Sequence, residues 1–225
     1  MGANGVVIVG AGSSSRMGGI DKVFAPLAGR PLLVYSLLAA QRCEQIERIA
    51  LVVAGDRIEP ARRLLAGLPL SKLAAIVPGG ARRQDSVMAG LHALAGVEYV
   101  AIHDAARPLV TPSLFAAGFA AARDTGAAIA AVPVVDTLKR VAPDGSVQET
   151  VPRDDLWAVQ TPQVFRYDLL LAAHRAGADA VTDDAMLIEA LGGTVRVFPG
   201  SPHNIKVTTP ADLALAAALF ESQAD

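Results

Sequence analysis

Over its first 133 residues the chain alternates short apolar runs with longer stretches of helical period, and no other feature limits the fold so strongly. Residues 6–9, 49–53, 73–77, 99–103 and 127–132 read as buried strands. Between them, 31–42, 58–66, 84–94 and 112–123 read as helices, the first opened by Pro31, whose ring suits a first helical turn. A strand, a helix and another strand joined by short connections require right-handed crossovers. The pattern therefore predicts an α/β fold with a mostly parallel sheet between two helical layers. In such folds ligands lie at the carboxyl ends of the strands.

Composition narrows the functional classes. With 225 residues the chain is expected to form one domain over 1–225, and 52% hydrophobic but only 4% aromatic residues point to an aliphatic core. A net charge of -2 supplies no general field for a polyanion, so neither a nucleic-acid nor a membrane partner is expected. Cys43 is the one cysteine, which excludes an internal disulfide and a cysteine-built metal site. It fits a reducing compartment. No basic start leads into an apolar run and no window approaches a membrane span, so a cytoplasmic protein is expected.

The rhythm breaks at Pro133. The stretch "VVDTLKRVAPDGSVQETV" has two extended segments around Pro-Asp-Gly and reads as a β-hairpin arm over about 134–155. Such an arm needs a surface to cover it, either a second copy of the chain or its own domain. Beyond it, "LWAVQTPQVF" reads as extended, 167–176 and 183–190 as helices, 194–198 as a short strand and 210–221 as a closing helix.

The loop after the first run, "VVIVGAGSSSRMGG", tests which phosphate ligand the chain takes. Gly10 and Gly12 supply a G-x-G, but Ser15 stands where a dinucleotide fingerprint has its third glycine. No acidic residue follows the second strand at the spacing that binds a ribose, since Asp21 lies in the loop and Asp56 comes too late. Hydroxyls at Ser13, Ser14 and Ser15, with Arg16 and Lys22, suit a triphosphate better than a dinucleotide.

With these residues in place the chain resembles a known family. "GAGSSSRMG" followed by "DKVFAPLAGRPLL" looks like the opening motif of sugar-nucleotide pyrophosphorylases and cytidylyltransferases. "PGGARRQDSV", "VAIHDAARPLV", "VVDTLKR", "LWAVQTPQVF", "VTDDAMLIEALG" and "NIKVTTPADL" narrow the resemblance to the 2-C-methyl-D-erythritol 4-phosphate cytidylyltransferases. The family commonly has Pro where Asp21 stands here.

The resemblance implies a Rossmann-like three-layer nucleotidyltransferase fold with a protruding arm, and transfer of a cytidylyl group from CTP to a polyol phosphate with Mg²⁺. It implies a homodimer joined through the arm. Its catalytic cations would be Arg16, Lys22, Arg153 and Lys206, and its nucleotide site Gly10, Ala11, Gly12, Ser13, Gly79, Gly80, Asp85, Ser86, Asp104 and Ala105. The acceptor would meet Arg107, Thr137, Arg153, Thr161, Thr182 and Lys206, and Asp104 would be the metal ligand.

Each assignment has a plainer counterpart. Gly79-Gly80 also suits a tight turn, Arg107 a salt bridge, and Thr182 with its neighbouring aspartates a helix cap. His103 is expected to be packed rather than metal-bound, and Trp157 to anchor a core or an interface. Competing functions are a cytidylyltransferase for another polyol phosphate such as ribitol 5-phosphate, a non-catalytic nucleotide sensor, and, disfavoured by the missing ribose carboxylate, a NAD-dependent oxidoreductase.

Overall fold

The computed structural model describes residues 2–12, 22–177 and 181–222, with Lys22 described in its backbone only. In chain order the elements are β1 (Asn4–Val9), β2 (Pro26–Leu27), β3 (Arg30–Pro31), α1 (Leu32–Arg42), β4 (Arg48–Val53), α2 (Ile58–Leu65), β5 (Leu73–Pro78), α3 (Arg83–Ala93) and β6 (Tyr99–Asp104). They continue with α4 (Pro112–Thr125), β7 (Ala127–Pro133), β8 (Leu138–Val141), β9 (Val147–Val151), β10 (Trp157–Arg166), α5 (Tyr167–Ala176), α6 (Ala185–Ala190), β11 (Arg196–Pro199) and α7 (Pro210–Glu221).

Seven strands form the central sheet in the order β11-β7-β10-β6-β1-β4-β5. All its pairings are parallel except those of β10, which runs antiparallel to both neighbours, β6 and β7. Side chains alternate through the sheet as the pleat requires: Val6 and Ile8 of β1 join one core layer and Val7 the other. Leu37, Leu65 and Phe115 bring α1, α2 and α4 to the first layer. Leu91, Leu170 and Ile188 bring α3, α5 and α6 to the second. The two-sided burial explains why the central strands read as continuous apolar runs.

Helix starts follow local chemistry. Thr111 caps α4 by accepting from Leu114 N at 3.2 Å, and Thr209 caps α7 in a capping box with Asp212. Gly126, at φ 81, ends α4 in the left-handed conformation that favours glycine. The helix expected from 183 begins at Ala185, because Asp183 Oδ1 accepts from Met186 N at 3.1 Å and so stands before the helix. β11 is shifted to Arg196–Pro199, in register with Ala128–Ala131 of β7.

The arm forms as expected: β8 and β9 pair antiparallel in a separate two-stranded sheet, with Gly145 at φ 87 in the turn. Trp157 is 42% exposed, which removes it from the core of this chain. Among the described residues no helix is long and apolar enough to cross a membrane.

Candidate active site at the carboxyl ends of the strands

β6 ends on Asp104, and around this carboxylate the chain assembles its cations. Lys206 Nζ, from the loop before α7, donates to Asp104 Oδ2 at 2.6 Å. Arg83, the first residue of α3, holds Nη2 3.5 Å from Asp104 Oδ1 and donates through Nη1 to Asp184 Oδ2 at 2.6 Å. Burial opposes ionisation of Asp104, but Arg83, Lys206 and Arg107 more than offset it and hold the carboxyl well below the usual carboxylate range. The cleft over this cluster has a volume of about 270 Å³, and Arg83, Arg107, Thr161, Thr182 and Lys206 reach its wall.

A second network lies beneath. Thr161 Oγ1 accepts from Asp104 N at 3.1 Å and stands 3.0 Å from His103 Nδ1, while His103 Nε2 is 3.2 Å from the Arg107 carbonyl. A carbonyl only accepts, so Nε2 carries the proton and Thr161 donates its hydroxyl to Nδ1. Burial lowers the His103 pKa to about 4, which keeps the ring neutral. His103 is thus the packed residue expected, and it fixes the Thr161 hydroxyl and the Arg107 main chain. Thr161 is 5% exposed, with one donor and one acceptor already used, so it braces Asp104 from below.

Among the described residues Arg107 forms no salt bridge, the plainer role offered for it. Among the described residues its Nη1 donates to the Asn204 carbonyl at 2.7 Å, and its buried Nε has no partner. Burial pulls its pKa down, with Asp104 opposing.

The glycine loops meet beside β1. Gly10 N donates to the Val52 carbonyl at 2.7 Å, and a Cβ there would press on that oxygen at 3.3 Å. A Cβ on Gly79 would overlap Ala11 Cβ, and one on Gly80 would overlap Asp85 Cβ. Neither has positive φ, so close approach rather than a left-handed turn demands these glycines. Gly12 differs: among the described residues nothing lies within 4 Å of a Cβ.

Asp85 closes a capping box with Arg82, and Ser86 Oγ accepts from Gly80 N at 3.2 Å. Ser86 is 2% exposed and Ala105 fully buried with its N–H given to the Val9 carbonyl, so both support the loops from inside. Thr182 is exposed at the cleft and donates to Met186 Sδ at 3.1 Å. Thr137 and Arg153 lie exposed at the base of the arm, where Arg153 donates to the Val135 carbonyl. Ser13, Arg16 and Asp21 lie outside the described residues, as does the side chain of Lys22, whose backbone opens a 3₁₀ turn over Lys22–Phe24.

Sequence reasoning passed over Arg83, Gln160 and Gln163, and took Asp184 only as one of the aspartates beside Thr182. The arginine carried a signal: a cation at a helix N-terminus opposes the macrodipole and calls for nearby carboxylates. Gln163 Nε2 donates to Asp183 Oδ2 at 2.8 Å and its Oε1 accepts from Asp184 N at 3.2 Å, so β10 holds the acidic turn in place.

Cations gathered on one carboxylate, beside glycine loops with main-chain groups close at hand, suit reactions in which every reactant is an anion. On a parallel sheet with ligands at its strand ends, that is the design of a nucleotidyltransferase. The family model described as IspD: 2-C-methyl-D-erythritol 4-phosphate cytidylyltransferase matches residues 5–222, and the chain belongs to that family. It is 48% identical over 217 residues to 2-C-methyl-D-erythritol 4-phosphate cytidylyltransferase of Dehalococcoides mccartyi (strain CBDB1), covering 96% of each chain. The crystal structure of 4-diphosphocytidyl-2C-methyl-D-erythritol synthase from Anaerococcus prevotii superposes with TM-score 0.86 at 30% identity, over 98% of this chain and 96% of that one. The crystal structure of 2-C-methyl-D-erythritol 4-phosphate cytidylyltransferase from Thermus thermophilus gives TM-score 0.77 at 34% identity, over 96% and 98%.

Proposed function

We propose that the chain transfers the cytidylyl group of CTP to 2-C-methyl-D-erythritol 4-phosphate, a step in isoprenoid precursor synthesis. An oxygen of the acceptor phosphate attacks the α-phosphorus. The bond from that phosphorus to the bridging oxygen breaks, pyrophosphate leaves, and 4-diphosphocytidyl-2-C-methyl-D-erythritol remains. The observation that carries the reading is the Lys206–Asp104–Arg83 cluster at the strand ends, in a chain of this family. Catalysis here is mainly positioning and charge neutralisation. Lys206 serves the acceptor phosphate, Arg16 and Lys22 the developing charge at the α-phosphorus and on pyrophosphate, and the loops at Gly10–Gly12 and Gly79-Gly80 the nucleoside.

Asp104 suits a divalent cation only as a single ligand. One oxygen takes Lys206 and the other faces Arg83, and no group of three His, Cys, Asp or Glu able to hold a metal occurs among the described residues. That donor set fits Mg²⁺, which keeps several waters and takes its remaining ligands from substrate phosphates. Bound with the triphosphate, it would neutralise part of the charge on the leaving group.

Val135, Val141 and Val147 on the arm, with Trp157 and Val159 on β10, are exposed apolar side chains. A homodimer formed through the arm covers them, and carries Thr137 and Arg153 towards the partner's acceptor site. A net charge of -2 supplies no general field for a nucleic acid, and the free thiol of Cys43 accords with a cytoplasmic setting.

The test is pyrophosphate release over a panel of nucleoside triphosphates and polyol phosphates, with Lys22→Ala as control. Turnover is expected with CTP and methylerythritol phosphate, and almost none in the control. Preference for ribitol 5-phosphate would move the reading to another polyol. CTP binding without pyrophosphate from any acceptor would make the protein a nucleotide sensor.

A further inference from the structure

Five charged or polar side chains from separate elements run in an unbroken series through the protein. His174 on α5 stands 3.1 Å from Asp184 Oδ1 through Nε2, which must carry a proton because a carboxylate only accepts. Arg83 joins Asp184 to Asp104, and Asp104 joins Lys206. Asp184 is 1% exposed and His174 3%, whereas Lys206 at the other end is 40% exposed, so the series runs from the interior to the cleft. Arg83 is its only member that meets two carboxylates, one on each side.

The two carboxylates belong to different elements. Asp104 ends β6 and pairs with Lys206, while Asp184 lies in the turn that presents Thr182 and Asp183 to the cleft. Resting on the function given above, we propose that Arg83 is a positioning residue for the transfer. By spanning Asp104 and Asp184 it sets the direction in which Lys206 enters the cleft and fixes the Thr182–Asp183 turn relative to it. The acceptor is then held between two walls at a set distance. An arginine is required because its rigid fork presents separate donors to two carboxylates, whereas a lysine ammonium is a single point charge on a flexible stem. The plainer alternative is that Arg83 only neutralises the buried Asp184.

Two variants separate these roles, assayed by pyrophosphate release, direct titration with CTP, and thermal melting. Arg83→Lys keeps the cation but cannot span both carboxylates. It is expected to lose about tenfold or more in kcat/KM for methylerythritol phosphate while CTP binds within about twofold of wild type. Arg83→Gln combined with Asp184→Asn removes the arginine together with the buried charge it neutralises. This pair is expected to melt close to wild type yet lose about 100-fold in kcat/KM for the acceptor. Turnover of either variant within about threefold of wild type, or a loss matched by an equal loss of CTP affinity, would overturn the proposal. Should the double variant not fold, Arg83→Lys decides the matter alone. Wild type in the same assay keeps the two readings apart: if it releases no pyrophosphate, the function proposed above fails, and if it does while Arg83→Lys equals it, this inference fails by itself.

Discussion

Lys206 places its ammonium nitrogen 2.6 Å from Oδ2 of Asp104, although 102 positions separate the two along the chain. The contact ties the loop before α7 to the end of β6. The lysine side chain is 40% exposed, so water screens the pair and its worth to stability is small. It holds a cation at the wall of the cleft.

Lys206→Met should therefore separate activity from stability. Loss of one preorganised charge contact at a transferring phosphate predicts a fall in kcat/KM of about 100-fold. Melting should move by no more than about 2 °C, because Arg83 and Arg107 still face Asp104. Pyrophosphate release and calorimetry read the two effects, and unchanged kcat/KM would remove Lys206 from the mechanism.

Acid should weaken the fold through His103. Its ring is fully buried and neutral, with a pKa of about 4, against about 6.5 when unfolded. Because the folded value is depressed, the unfolded chain binds the extra proton between those values. The stability in question is thus fully present above about pH 6.5 and is lost as pH falls towards about 4. Burial sets the shift, with Asp104 and the Arg107 carbonyl opposing it and the charges of Arg107 and Lys206 adding to it. Urea unfolding should show a loss of about 2 kcal/mol between pH 6.5 and pH 5, and a flatter profile in His103→Gln. Equal slopes in the two proteins would contradict this account.

Two glycines of the nucleotide loops should respond differently to alanine. At Gly79 the added Cβ would overlap Ala11 Cβ and come within 2.7 Å of Ser86 Oγ, so the loops must part and stability should drop by about 1–3 kcal/mol. At Gly12 no described residue lies within 4 Å of an added Cβ, so Gly12→Ala should melt like wild type. If the nucleotide approaches Gly12, the same variant will bind CTP more weakly in calorimetric titration. Normal CTP affinity in Gly12→Ala would move the nucleotide away from this loop.

The arm offers a test of assembly. Val141 is 53% exposed and Val147 60%, and a pair of charges there has no effect on the core of this chain. Val141→Asp with Val147→Asp should convert a dimer to a monomer in sedimentation and lower turnover, since Thr137 and Arg153 would no longer reach the partner's cleft. A wild-type protein that sediments as a monomer at assay concentration would end the composite-site reading.

The elements built from neighbouring residues were the legible ones. The apolar run of β1, the Thr209-Pro210 start of α7 and the Pro-Asp-Gly hairpin each carry their cause within a few residues. β10 was legible as an extended segment but not in its placement. Its direction between β6 and β7 depends on which sheet position the arm returns it to, and an antiparallel strand buried on both faces has no period of its own to announce that. The site divided in the same way. Asp104, Arg107 and Lys206 could be assigned from the motifs that hold them, whereas Arg83, in "PGGARRQDSV", had no role until its carboxylates were in view.

By itself, then, the sequence determined the strand and helix order, the glycine-lined loops, the family and half of the residues lining the cleft, because local period and short motifs are written in adjacent positions. Only the tertiary structure decided which charges share a neighbour. Arg83 meets Asp104 across 21 positions and Asp184 across 101, and pairing at such separations depends on where the sheet and helices come to rest. A Coulomb interaction is set by distance in space, and distance in space becomes fixed only when the core has closed.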